Sequence, residues 1–445
     1  MLQIRRLFLG AAALALFPVA AGLSLNRPAI WQPCAIVLAA GFAIGLGAIP
    51  KLKGYQFTAW IAVAVVAGLI YPAAFTRWGD FDLRNKWLIL VVVQLVMFGM
   101  GTQMSLRDFA GVAKNPLGVL VGIVCHFTVM PLVGLGLTRI FHFEPEIAAG
   151  IILIGSCSSG LASNVMAYIA KSNLVLSVTV TAITTMVAPL MTPLLMKLLA
   201  GTMVEVKFFN MMMEIIKIVL VPIGAALLHD YLKSASPRGW RVVSTLALIS
   251  AIWLLALPLG VWSWLTSRVT PDALHWIGAF GFFLAAIVFG VVYHGATRVI
   301  SKLDQWTPLA SMFGIVYFTT VTTAAGRDNL LKIGGLLFLA AALHNAAGYF
   351  FGYWLSRACG LDKNSARSVA FEVGLQNGGM ASGIAGSMGK LATVGLASAI
   401  FSPWMNISGS ILANYWRRSA DRQTSTPDAP TSPAKKETLS CIKPH

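Results

Sequence analysis

Along its 445 residues the chain returns repeatedly to apolar runs of membrane-spanning length, near 7–24, 33–50, 57–75, 87–103, 117–139, 146–170, 174–199, 208–230, 243–265, 274–297, 307–324, 334–356, 366–388 and 391–415. A helix that crosses the hydrocarbon core of a bilayer needs about 20 apolar residues, within a range of roughly 17–25. These runs predict an all-α polytopic membrane protein with about fourteen transmembrane helices. Lipid offers no water to satisfy an open sheet edge or an irregular loop, so helices are the expected form. Only 11% of residues are charged and 57% are hydrophobic, against about 25% charged in a soluble domain.

The first run follows Arg5-Arg6 and ends at Ala20-Ala21-Gly22, the outline of a cleavable signal. A second run close behind it, and an even helix count, favour a retained helix. The formal charge is +17. With the N-terminus inside, Lys51, Lys53, Arg107, Lys114, Lys171, Lys233, Arg238, Arg241, Arg298, Lys302, Arg357, Lys363 and Arg367 fall on cytoplasmic segments, and the opposite loops hold fewer cations. The charge therefore reads as positive-inside bias and not as a nucleic-acid footprint. Both termini are predicted cytoplasmic, in the inner membrane of a bacterium, because no Ser- and Arg-rich transit segment precedes the first run. The Ser-, Thr-, Pro- and Lys-rich stretch 418–445 reads as a disordered tail. Five scattered cysteines without a Cys-x-x-Cys argue against a disulfide framework or zinc site. No phosphate loop, His-Glu-x-x-His or nucleophile elbow appears in the spans. The chain reads as no enzyme, and transport would draw on an ion gradient.

Polar residues inside apolar runs carry the functional signal, because ionisable groups at membrane depth are costly and usually line a site. Phe371-Glu-Val-Gly-Leu-Gln-Asn-Gly-Gly-Met380 holds a carboxylate, two amides and three glycines. Glycines there suggest a helix that opens and frees carbonyls for an ion. Glu372 and Gln376 are four apart and share a helical face. The bland alternative for Glu372, one turn past Arg367, is an interfacial carboxylate neutralised by solvent. Gly160-Leu-Ala-Ser-Asn-Val-Met166 is the earlier counterpart, and its small residues could instead serve close packing. Each broken run is followed about 25 residues on by a proline-bearing one, with Pro189 and Pro193 in the first half and Pro403 in the second. Such a pair points to a transporter repeat with its site at the midplane. Ser177 and Thr181 share a helix face but, taken alone, read as bonding back to their own helix. His126 reads either as an interhelical donor or as a proton carrier. Glu214 and Lys217 read as an interface pair, and Cys157 as a buried structural thiol.

Four stretches together resemble the bile acid:sodium symporter family: Met97–Phe109, Ala162–Tyr168 with Leu176–Thr181, Glu372–Asn377 and Asn406–Ser410. The likeness runs over about 57–232 and 306–417. It implies a core of ten helices, as two inverted five-helix repeats arranged in a panel and a core domain, with two broken helices crossing in the core. It implies one Na+ site from Ser163, Asn164, Ser177, Thr181 and Glu372. A second would use Glu372, Val373, Leu375 and Gln376, through the backbone oxygens of Val373 and Leu375. The substrate, a small organic anion, would lie near Asn377, with His126 and Asn406 as further candidate contacts. This sequence departs from the pattern where His126 stands at a position that often supplies Gln to the second sodium, and where Cys157-Ser-Ser-Gly160 replaces Cys-Pro-Gly-Gly. It also carries extra helix pairs near 7–50 and 243–297. The expected organisation is 1–54 (two extra helices), 55–232 (first repeat), 233–303 (inserted pair), 304–417 (second part of the core) and 418–445 (tail). The expected function is sodium-coupled symport by alternating access. A proton-coupled or exporting carrier using His126 is the alternative, and a membrane sensor or scaffold using the tail is a further one.

Overall fold

The computed structural model describes residues 2–49, 52 and 55–424. Nearly all are helical. The helices are α1 (Leu2–Ser24), α2 (Pro28–Gly45), α3 (Gln56–Ile70), α4 (Lys86–Gly101), α5 (Pro116–Phe141), α6 (Pro145–Ser156), α7 (Ala162–Ile169) and α8 (Leu174–Ala200). Then follow α9 (Phe208–Lys233), α10 (Pro237–Arg268), α11 (Pro271–Val299), α12 (Leu303–Ala325), α13 (Arg327–Ala358), α14 (Lys363–Gly374), α15 (Gly378–Ser387) and α16 (Val394–Thr424). Proline opens α5 and α6, where its missing N–H costs nothing. Side chains cap others: Asn173 accepts from Leu176 N, and Asp362 from Asn364 N and Ser365 N.

Ten of the described helices are long and apolar enough to cross a bilayer, or eleven if α4 and the segment Leu106–Lys114, bent from it by 62°, form one span. The four other predicted runs differ. Run 57–75 becomes the 15-residue α3, about 22 Å long at 1.5 Å per residue and short of a roughly 30 Å hydrocarbon core. Run 87–103 becomes the 16-residue α4. Runs 146–170 and 366–388 each split in two, as α6–α7 and α14–α15.

The packing forms two layers. In one, α3 and α4 pack on α12, and α4 also packs on α9. In the other, α5 packs on α6, α13 and α14; α8 packs on α6, α7 and α14; and α16 packs on α6, α13 and α15. Two helices of the second layer, α6–α7 and α14–α15, are broken, and their connectors meet. Of the extra pairs, α1–α2 lies against α3, and α10–α11 lies against α9, so both flank the first layer. The last helix continues through Thr424; 425–445 of the predicted tail lies outside the described residues.

Candidate functional site

Both broken helices open where the sequence turns small and polar. After α6, Cys157 is extended (ψ 167°); after α14, Leu375 is extended (φ −108°, ψ 100°). The two connectors then pair antiparallel, with Ser159 opposite Gln376. Gly160 N donates to Leu375 O at 2.9 Å, and Asn377 N donates to Ser158 O at 2.8 Å. A Cβ on Gly160 would stand 2.7 Å from the Gln376 carbonyl oxygen, so this approach requires glycine. Asn377 caps α15, its Oδ1 accepting from Met380 N at 3.0 Å.

Glu372 lies beside this crossing with 0% exposure, so solvent does not neutralise it. Its carboxylate contacts Ser177 Oγ, and Thr181 Oγ1 stands 2.8 Å from Oε2. Asn164 Oδ1 is 2.9 Å from Ser177 Oγ and 3.3 Å from Thr181 Oγ1, and Ser163 Oγ is 3.3 Å from Thr181 Oγ1. All five predicted first-site residues therefore gather in one place, from α7, α8 and α14. Ser177 and Thr181 each own one hydroxyl hydrogen but face two acceptors. The cluster is rich in oxygen and poor in donors, which suits a hard cation. Among the described residues no ion pair involves Glu372. Arg367, one turn away, lies over the Trp416 ring, 5.5 Å from its centroid. Among the described residues no group of three His, Cys, Asp or Glu side chains gathers in one place.

The predicted second-site atoms are also close together, but they already have partners. Val373 O accepts from Gln376 Nε2 at 2.7 Å, and Leu375 O accepts from Gly160 N and, at 3.3 Å, from Ser159 Oγ. His126, a candidate substrate contact from the sequence, lies against the backbone of the two half-helices. The ring is fully buried between the two half-helices, with Nδ1 2.9 Å from Glu372 O and Nε2 2.8 Å from Cys157 O. A neutral ring donates through one of these nitrogens, a charged ring through both. Glu214 and Lys217 do pair, at 2.9 Å, and Cys157 is buried.

A cavity of about 360 Å³ lies on the other side of the crossing, between the two layers. Gln376, Asn377 and Asn406 line it, with Gln103 and Ser311 opposite. Asn406 Nδ2 donates to Ser402 O at 2.9 Å, which leaves its oxygen for a partner. The lining contains no Asp, Glu, Lys, Arg or His. The first turns of α7 and α15 reach it through Ala162, Gly378 and Gly379, and helix N-termini carry partial positive charge.

Sequence reasoning missed Ser159 and Asn345. Asn345 Nδ2 donates to Gly374 O at 2.8 Å, satisfying a carbonyl that the break frees. Its signal was present: His344-Asn345 interrupts an apolar run, the pattern that marked Asn164. Removing this donor leaves a buried carbonyl unpaired, at about 1–3 kcal/mol. Asn345→Leu should therefore melt measurably lower in a purified-protein thermal scan.

Two broken helices that bond each other across a buried carboxylate, next to a cavity between two helical layers, define a polytopic carrier of the ion-coupled kind. The profile of the Sodium Bile acid symporter family matches residues 90–263. The chain is 31% identical over 376 residues to the "Uncharacterized sodium-dependent transporter YocS" of Bacillus subtilis strain 168, covering 84% of this chain and 95% of that one. It is 28% identical over 368 residues to the "Probable sodium/metabolite cotransporter BASS1, chloroplastic" of Arabidopsis thaliana, covering 82% and 74%. It is 26% identical over 296 residues to the human "Ileal sodium/bile acid cotransporter", covering 65% and 66%. The chain belongs to the sodium bile acid symporter family, a family of sodium-dependent transporters.

Proposed function

We propose that this protein is a sodium-coupled symporter of a small organic anion that works by alternating access. One observation carries the reading. A fully buried carboxylate, Glu372, faces four other oxygen-bearing side chains and has no ion pair among the described residues. An isolated buried charge is too costly to persist, so a bound cation or proton must neutralise it. Sodium at Ser163, Asn164, Ser177, Thr181 and Glu372 would do so. It would also brace the crossing, and through it Asn377 and the N-terminal turns of α7 and α15. The substrate would occupy the cavity, touching Asn377 and Asn406. Its negative charge would meet helix N-termini and amide donors instead of a basic side chain. Ion and anion affinities are then reciprocally coupled. The cation bias of the loops supports cytoplasmic termini, and the way the two extra pairs flank the first layer supports reading them as additions to the transporter core.

The second reading rests on the same carboxylate, since a proton also neutralises it. Thermal stability measured in NaCl against choline chloride, at pH 6 and pH 8, separates the two. A ligand that binds only the folded state stabilises it by about 2.7 kcal/mol at a hundred times its Kd. The expected result is a sodium-specific rise in melting temperature at pH 8. Stability that follows pH and ignores sodium would replace symport with sodium by a proton-coupled carrier.

A further inference from the structure

The carboxyl ends of two half-helices meet beside the sodium cluster. Helix α6 ends at Ser156 and presents Cys157 O; α14 ends at Gly374 and presents Glu372 O. Carboxyl ends carry partial negative charge, and their freed carbonyls are where a carrier of this kind would hold a cation. A side chain fills the space. His126 projects from α5 and reaches both oxygens at once, at 2.9 Å and 2.8 Å, with no exposure. The neighbouring carbonyls are engaged too, Val373 O by Gln376 Nε2 and Leu375 O by Gly160 N and Ser159 Oγ. What stays open is an acceptor: Gln376 Oε1 is buried without a hydrogen-bond partner among the described residues. An ion placed here would have to displace a ring that already spans the gap, and it would gain a nitrogen donor where it needs an oxygen.

We propose that the His126 side chain takes the place of a second ion, so that this chain binds one sodium and uses a covalently tethered ring to tie its two half-helices together. The proposal rests on the sodium reading of the Glu372 cluster. The ring donates to one of the two oxygens when neutral and to both when charged, and in either form it fills the gap between Cys157 and Glu372 whether or not an ion is bound, so His126 is a positioning residue for the one remaining site. An amide at this position offers an oxygen and vacates part of the ring's volume. With Gln376 Oε1 and the released carbonyls, it completes an oxygen set that a second sodium can enter.

Equilibrium binding of 22Na+ to the purified full-length protein, at fixed pH, tests this without a transport assay. Wild type should bind one sodium per chain, with a Hill coefficient of about 1 in the sodium-dependent melting shift. His126→Gln should bind two, with the coefficient rising towards 2. Two sodium ions on wild type would overturn the proposal, as would a folded His126→Gln protein that still binds one. The wild-type count decides even if that variant fails to fold. No sodium binding by wild type at all would instead remove the sodium reading beneath it.

Discussion

Glu372→Gln is expected to abolish the sodium-dependent melting shift without weakening the sodium-free protein. The carboxylate is the one anion in the candidate ion site, and it is fully buried. Removing one partner of a buried charge pair costs about 3–5 kcal/mol, which corresponds to a roughly hundred- to several-thousand-fold loss of sodium affinity. Sodium-driven uptake in proteoliposomes should fall by a similar factor. In choline chloride the sign reverses. The wild-type carboxyl is then buried without its cation and must take up a proton instead, a cost that the neutral amide does not carry. The variant should melt at the same temperature as sodium-free wild type, or higher. Those two results together exclude simple misfolding. Uptake that survives in Glu372→Gln and still requires sodium would show that the ion sits elsewhere.

The second large effect is expected at Gly160, where there is no charge to remove. The added Cβ of Gly160→Ala would stand 2.7 Å from a backbone oxygen of Gln376, and backbone, unlike a flexible side-chain end, has nowhere to go. Overpacking of this sort costs about 1–3 kcal/mol. Its geometric consequence is the larger one. Gly160 N holds Leu375 O, and Gly160 O accepts from Ser163 Oγ at 2.8 Å, so one methyl pushes the connectors apart and moves an ion ligand with them. Both the melting temperature in choline chloride and the sodium-dependent shift should drop. Gly136→Ala is the control. It lies in α5, with nothing within 4 Å of the new Cβ, and should leave both unchanged. Equal behaviour of the two variants would mean that the crossing tolerates being opened.

How much of this was readable beforehand depends on what each residue's information depends on. The membrane class and the two broken helices were legible, because a carboxylate or an Asn inside an apolar run is rare enough to mark its place. The gathering of Ser163, Ser177 and Thr181 on Glu372 came from the family likeness and not from spacing, since Ser and Thr in a span more often bond to their own helix. Four of the fourteen runs form short or broken helices, because apolar length does not reveal where a helix stops. Run 146–170 is long enough to read as one span, yet it breaks at Cys157-Ser-Ser-Gly160. The ring partners of His126, Glu372 O and Cys157 O, were not legible in the sequence. Sequence places a residue along the axis of a span, whereas rotation about that axis needs a polar face to read against. Spans that are apolar all round lack one. Asn345 was missed although its neighbour His344 doubles the signal, because no partner for it could be named before Gly374 O was known to be free.

If His126 stands in for a second sodium in a symport cycle, it also bears on how membrane voltage would enter that cycle. A side chain cannot cross with the substrate, so with one mobile sodium for each monovalent anion no net charge moves. Each elementary charge carried across is worth about 2.3 kcal/mol per 100 mV, and a carrier of this stoichiometry forgoes that energy. An about tenfold sodium ratio could then support no more than an about tenfold ratio of a monovalent anion, however strongly the membrane is polarised. A divalent anion would have to enter against the field. The buried imidazole would thus make the protein follow the chemical gradient of sodium and ignore the electrical one.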